Sequence, residues 1–283
     1  MIVAGSESQS LAVALSAETG RALAPVSFEA FPDGEWKAAV GNADFDDGAV
    51  VVGSTLTDRA HVELLQLQDA AREAGASEVT TVLPYMGYAR QDDAFLEGDP
   101  VSARAVARAI STGTDRVLTV NPHEPVVCDF FDVPTRALDA AGLLAEPLGE
   151  LADPLFLGPD SGAVALADAV RDAYGRGDTD HFEKTRHSGA EVEIKPREAP
   201  VEGRDVVLVD DIIATGSTMS ESVAVLTERE AASVTVTCVH PLLARNARVK
   251  LARAGVAALY GTDTIERPES TVSVAPLVAE ALS

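Results

Sequence analysis

The sequence predicts an α/β protein of two similar halves, each a mainly parallel β-sheet flanked by helices. Three observations carry this expectation. Residues 206–209, Val-Val-Leu-Val, form a β-rich run with no polar alternation, as in a strand buried on both faces of a parallel sheet. Strand-like and helix-like segments alternate along the chain. The chain also repeats itself. Residues 50–90 read strand (VVVG), polar loop, helix and a strand ending in VLPYMGYAR; residues 206–245 read strand (VVLV), acidic loop, helix and a strand ending in CVHPLLAR. The expected domains are 1–142 and 143–283.

Composition bounds the function. The 283 residues hold 45 Asp plus Glu against 22 Lys plus Arg, a formal net charge of −23, and the lysines are Lys37, Lys184, Lys195 and Lys250 alone. Such a surface repels nucleic acid and anionic membranes, so neither is an expected partner. A hydrophobic content of 46% excludes a disordered acidic chain. A folded, acidic, Lys-poor surface suits concentrated salt, which screens its self-repulsion, and a halophilic source is expected. No apolar run reaches the roughly 18 residues of a membrane span, and the first residues, MIVAGSESQ, lack a basic region and a long apolar segment. Cys128 and Cys238 lie far apart in strand-like or apolar surroundings and read as buried thiols, so the expected compartment is the cytoplasm.

In chain order, residues 1–5 predict a strand and 8–19 a helix. Phe31-Pro32-Asp33-Gly34-Glu35 reads as a turn, because Pro32 fixes φ and Asp-Gly is a common hairpin pair. In the first copy of the repeat, Ser54 and Thr55 stand where the second has Asp210 and Asp211, so the first half reads as a scaffold with another task. Arg90 and Gln91, followed by Asp92, end a strand and can hold a phosphate or a nucleobase edge. Residues 101–110 form a helix with Arg104 and Arg108 on one face, and strand 117–120 leads into Asn121-Pro122-His123-Glu124. His123 thus sits at a strand's carboxyl end, where open α/β sheets bind ligands.

A strand-like run around 130–133 precedes an Ala- and Leu-rich helical segment at 139–150. Strand 154–157 ends in Gly158-Pro159-Asp160-Ser161-Gly162, again a carboxylate beside small residues, and a helix follows at 163–171. Residues 175–200 are polar and charge-rich and predict a long, poorly structured segment. It contains Lys184 and Arg186, which can close over a phosphoryl group; a solvated hairpin is the plain alternative. A helix at 247–254, a strand at 256–260 and a terminal helix at 275–282 complete the chain. His61, His181, His187 and His240 read as surface or packed residues.

The chemistry concentrates at 206–219. Asp210 and Asp211 end the strand, and Ala214, Thr215, Gly216, Ser217 and Thr218 form a small-residue loop. Thr218 can cap the following helix, with Glu221 completing a capping box. Backbone N–H groups, hydroxyls and the helix dipole suit a phosphate, and Gly216 permits close approach. The loop has no Lys or Arg, so it is not the lysine-bearing loop of nucleoside triphosphatases. The acids would repel a phosphate; they suit vicinal sugar hydroxyls or a metal ion. Together they describe a site for a sugar phosphate such as ribose 5-phosphate.

This stretch resembles the ribose-phosphate motif of type I phosphoribosyltransferases. With FPDGE at 31–35, PYMGYARQD at 84–92, NPHE at 121–124, GPDSG at 158–162, EKTR at 183–186 and TDTI at 262–265, nearly the whole chain resembles the ribose-phosphate pyrophosphokinases, the short archaeal form above all. The resemblance implies two type I phosphoribosyltransferase-like domains. It implies transfer of the β,γ-diphosphoryl group of ATP to the 1-hydroxyl of ribose 5-phosphate, with Mg²⁺ neutralising the triphosphate. Phe31, Asp33 and Glu35 would recognise adenine from a neighbouring subunit of a homo-oligomer, dimer or larger, and Arg90, Gln91, Asp92 and His123 would hold ATP. His123 and Asp160 would serve the metal. Lys184 and Arg186 would act on the transferring group. Asp210, Asp211 and the 214–218 loop would bind ribose 5-phosphate. Asp93 and Ala94 replace a basic pair common after the RQD motif, which removes positive charge near the triphosphate. A non-catalytic regulatory relative and a phosphoribosyltransferase are the alternatives. The first should have lost Lys184, Arg186, His123, Asp160 or the loop acids, and the second would have one half.

Overall fold

The computed structural model describes residues 1–43, 45, 48–188, 191–196 and 199–283, without the side chains of 184–188 and 191–195. The chain forms two units: Met1–Asp139 with Asp263–Glu266 and Ser273–Ser283, and Ala140–Thr262 with Arg267–Val272.

The first unit opens with β1 (Ile2–Ala4) and α1 (Gln9–Thr19), which stops at left-handed Gly20. A hairpin of β2 (Val26–Ala30) and β3 (Trp36–Val40) follows, joined by the FPDGE turn. Next come β4 (Ala49–Val52) and α2 (Asp58–Glu73), whose Thr57 cap accepts the Ala60 N–H. The unit continues with β5 (Val79–Leu83), α3 (Ser102–Ser111), β6 (Arg116–Val120) and β7 (Thr135–Leu138). The sheet order is β1-β4-β5-β6-β7, parallel throughout. Burial on both faces explains the unalternating apolar run of β4, and Val51, Val79 and Leu83 meet Leu64 and Leu67 of α2 and Ile110 of α3 in one core.

Two local expectations change here. The run at 130–133 is not a strand: a 3₁₀ turn covers Pro125–Phe130 and the strand begins at Thr135. Pro134 lacks an N–H but its carbonyl accepts the Val117 N–H, so pairing starts there, while Phe130 and Phe131 pack into the core. The segment 139–150 is helical only as a 3₁₀ turn, Ala141–Ala145.

The second unit contains β8 (Leu155–Gly158), α4 (Val164–Tyr174), β9 (Asp178–Ser188), β10 (Glu191–Pro196), β11 (Asp205–Ile212), α5 (Ser217–Glu228), β12 (Ser233–His240), α6 (Ala247–Ala254), β13 (Ala258–Thr262) and β14 (Ser270–Val272). Its sheet order is β10-β9-β8-β11-β12-β13-β14. Only β10 runs antiparallel to its neighbour. The series β8-β11-β12-β13-β14 repeats the sequential parallel order of the first sheet, as the internal repeat requires. The expected unstructured segment 175–200 is instead largely the β9–β10 hairpin, because β9 continues the parallel sheet beside β8.

The last helix, α7 (Ala275–Leu282), packs on α1 and belongs to the first unit. The reason is polar as well as apolar. The Glu266 carboxylate accepts the Ser10 and Leu11 N–H groups at the start of α1, where the helix dipole favours an anion. Ser54 Oγ donates to the Thr264 carbonyl at 2.6 Å. The two units part at 139/140, beside the expected 142/143, and the chain recrosses near its end. No described helix is long and apolar enough to cross a membrane. Both cysteines are free thiols: Cys238 is buried and Cys128 half-buried.

Candidate active site

In the second unit, the ends of parallel strands gather the predicted acids. β11 runs through Ile212 and pairs Asp210 with Cys238 of β12, so both acids lie in the strand's final residues. Asp210 Oδ1 accepts the Asp211 N–H at 3.0 Å, and Asp211 Oδ1 accepts the Ile212 N–H at 2.7 Å. Burial, first, and the adjacent Asp211 charge push Asp210 up to about 8, with Asp160 adding to the effect. Asp160 therefore shares the electrostatic neighbourhood of the pair. It caps the turn after β8, its Oδ1 accepting the Gly162 N–H at 3.0 Å. The same burial and the Asp210 charge push the Cys238 thiol well up, which makes it an inert packing residue.

The loop after β11 is set by its partners. Ala214 and Ile213 accept N–H groups from Ala244 and Leu243, each at 2.8 Å. Gly216 caps α5 in the left-handed region (φ 69), and a Cβ there would meet Ala247 at 3.3 Å, so both conformation and space call for glycine. Thr218 is not the cap, and no capping box forms: the left-handed turn at Gly216 starts the helix before Thr218 is reached. With no side chain bonded across the cap, the first-turn N–H groups stay available to an anion. Thr215 and Thr218 are exposed. Lys250 Nζ donates to Ser217 Oγ at 2.7 Å, a neighbour the sequence hides because 33 residues separate the two.

The backbone of Lys184 and Arg186 lies on β9, opposite Ile194 and Val192 of β10. Their side chains lie outside the described part of the structure.

In the first unit, the FPDGE turn closes the β2–β3 hairpin: the Phe31 N–H donates to the Glu35 carbonyl at 2.8 Å, and Gly34 takes φ 94. Asp33 Oδ1 accepts the Glu35 N–H, and Phe31 and Glu35 are exposed at the tip. Tyr88 holds a left-handed conformation (φ 65) just before Arg90, turning the chain sharply out of β5. Gln91 is fixed to α3, its Oε1 accepting from Ser102 Oγ at 2.6 Å, while Arg90 is exposed. Asn121, with φ 34 and its amide bonded to Asp139, bends the chain after β6 and leaves His123 exposed. The matching strand ends of the first copy are filled: Ser54 and Thr55 are 2% and 1% exposed, and the Thr55 hydroxyl accepts the Gly87 N–H. A polar packing role thus replaces the acids.

Among the described residues, no group of three or more His, Cys, Asp or Glu side chains gathers as a metal site. Carboxylates such as Asp160 still fit Mg²⁺, which keeps waters and binds through one or two carboxylates plus substrate phosphates.

Comparison with known proteins agrees in extent. Residues 1–113 match the family described as the N-terminal domain of ribose phosphate pyrophosphokinase, and 129–270 match the phosphoribosyl transferase domain. The chain is 62% identical over 283 residues to a ribose-phosphate pyrophosphokinase of Halobacterium salinarum, covering 100% of each chain. It is 46% identical to one of Methanosarcina mazei, covering 100% of this chain and 95% of that one. A crystal structure of phosphoribosylpyrophosphate synthetase from Mycobacterium smegmatis superposes with a TM-score of 0.85 at 29% identity, covering 100% and 97%.

Proposed function

This chain belongs to the ribose-phosphate pyrophosphokinase family, and from that premise we propose how its residues divide the work of making phosphoribosyl pyrophosphate for nucleotide biosynthesis. The 1-hydroxyl oxygen of ribose 5-phosphate forms a bond to the β-phosphorus of ATP. The bond from that phosphorus to the oxygen bridging α and β breaks, the hydroxyl proton is released, and AMP leaves. Asp210 and Asp211 hold the ribose hydroxyls, and Ala214, Thr215, Gly216, Ser217 and Thr218 hold the 5-phosphate. Arg90, Gln91, Asp92 and His123 hold the nucleotide, and Phe31, Asp33 and Glu35 recognise its base from a neighbouring copy in a homo-oligomer. Such a reaction needs in-line positioning and charge stabilisation above all. Lys184 and Arg186 supply positive charge to the transferring group. Asp160 and His123 would hold Mg²⁺, which supplies charge neutralisation on the triphosphate when bound. The protein works in the cytoplasm of a salt-adapted cell.

The observation that carries this assignment is the pair Asp210 and Asp211 at the end of β11, directly before the loop capped by Gly216. Phosphorus NMR in concentrated KCl with Mg²⁺, ATP and ribose 5-phosphate tests it. AMP and phosphoribosyl pyrophosphate should appear in equal amounts. Formation of ADP would refute diphosphoryl transfer, and no turnover by folded protein would point to a regulatory relative.

A further inference from the structure

We propose that Lys250 is the fixed positive charge of the sugar-phosphate site, holding the 5-phosphate together with Ser217. The proposal rests on the assignment of the 214–218 loop to ribose 5-phosphate.

The loop has an electrostatic problem that its own sequence does not solve. Its donors are backbone N–H groups and the hydroxyls of Thr215, Ser217 and Thr218, all neutral. The ligand carries a phosphate with close to two negative charges at neutral pH. It must enter beside Asp160, Asp210 and Asp211, of which Asp210 is raised first by burial and then by the Asp211 and Asp160 charges, on a chain of net charge −23. A dianion in that field needs a nearby cation.

α6 brings one. Its first residue, Ala247, packs against Gly216, where an added Cβ would meet it at a tight 3.3 Å. Lys250 lies three residues further on, on the same face of the helix. Its ammonium reaches the loop and bonds Ser217 Oγ at 2.7 Å. Ser217 is the first residue of α5, at the positive end of that helix dipole. Lys250 is also one of only four lysines in a chain with 45 acids. Among the described residues it is paired with no carboxylate and is bonded to a loop hydroxyl instead. An ammonium has three donors, so the bond to Ser217 leaves two for phosphate oxygens. The alternative is a purely structural lysine that ties α6 to α5.

The test compares wild type with Lys250→Met, Lys250→Arg and Thr218→Ala, all in the same concentrated KCl. Calorimetry measures ribose 5-phosphate binding without ATP, steady-state kinetics gives KM for each substrate, and thermal melting reports the fold. Lys250→Met should weaken ribose 5-phosphate binding by roughly 10- to 100-fold, as expected for a lost charge-assisted bond. Its KM for ATP should stay within about twofold, and Lys250→Arg should recover most of the affinity. Unchanged ribose 5-phosphate affinity in Lys250→Met, with Thr218→Ala still impaired, would overturn the role of Lys250 and leave the loop assignment standing. Unchanged affinity in both variants would overturn the loop assignment as well. Equal damage to both substrates with a lowered melting temperature would mark a structural lysine.

Discussion

The indole Nε1 of Trp36 donates to Glu63 Oε2 at 2.9 Å, tying the turn end of the β2–β3 hairpin to α2. Glu63 is 2% exposed and also accepts the Ser6 N–H at 2.6 Å. The Arg59 guanidinium lies 4.4 Å from the Trp36 ring centre, and Gln66 bonds the backbone of Trp36 and Ala38. Arg59, Glu63 and Gln66 share one face of α2 by their helical spacing. One helix face therefore aims the turn that carries Phe31, Asp33 and Glu35.

Trp36→Phe should keep the ring and lose the hydrogen bond. We expect KM for ATP to rise by roughly tenfold, the equivalent of one lost charge-assisted bond, with KM for ribose 5-phosphate unchanged. Steady-state kinetics checks this, and equal effects on both substrates would argue against a nucleotide-directed hairpin. Trp36 is the only tryptophan in the chain, so its fluorescence should also respond to ATP.

Lys184→Ala should reduce turnover by about 10²- to 10⁴-fold, the range for removing a preorganised charge from a transition state. Calorimetric binding of ribose 5-phosphate should be largely spared. Near-normal turnover would remove Lys184 from the mechanism.

The raised Asp210 predicts an unusual pH dependence. An unfolded aspartate releases its proton near pH 4, whereas folded Asp210 keeps it up to about 8. The folded state therefore binds the extra proton between those values, and stability falls as pH rises across that window. Asp210→Asn cannot ionise, so at pH 9 it should exceed wild type by on the order of 1–3 kcal/mol, with the gap narrowing toward pH 4. Thermal melts in concentrated KCl at several pH values measure this; parallel curves would contradict it.

Arg204, 5% exposed, donates to the carbonyls of Asp153 and Pro154 at 3.0 Å each and to Asp178 Oδ2 at 2.8 Å. It joins the starts of β8, β9 and β11. Arg204→Met should destabilise the protein by about 2–4 kcal/mol, because it strands buried carbonyls as well as removing a charge. Urea unfolding at fixed KCl provides the measurement, and a loss below about 0.5 kcal/mol would deny Arg204 this role.

Much of this architecture is legible from local pattern. The apolar runs and the repeat describe both sheets, and the difference between Ser54-Thr55 and Asp210-Asp211 marks where their strand ends diverge. Other features depend on distant partners. Thr218 looks like a cap, but the helix starts earlier, at Gly216 in a left-handed turn that packs beside Ala247. The polar stretch at 178–196 reads as loop because its strands gain order from the edge of β8 rather than from their own apolar content. Lys250 and Ser217 meet only through the packing of α6 on α5.

The return of the chain to its first unit sets an order of events during synthesis. A ribosome completes Met1–Asp139 long before it reaches residues 263–266 and 273–283. Until then the start of α1 lacks its Glu266 carboxylate, and the face of α1 that meets α7 stays open. The second unit holds no such debt to late residues beyond Arg267–Val272. The domain made first is therefore the last to be finished, and a nascent chain stalled near residue 260 would present an unfinished surface to chaperones and proteases.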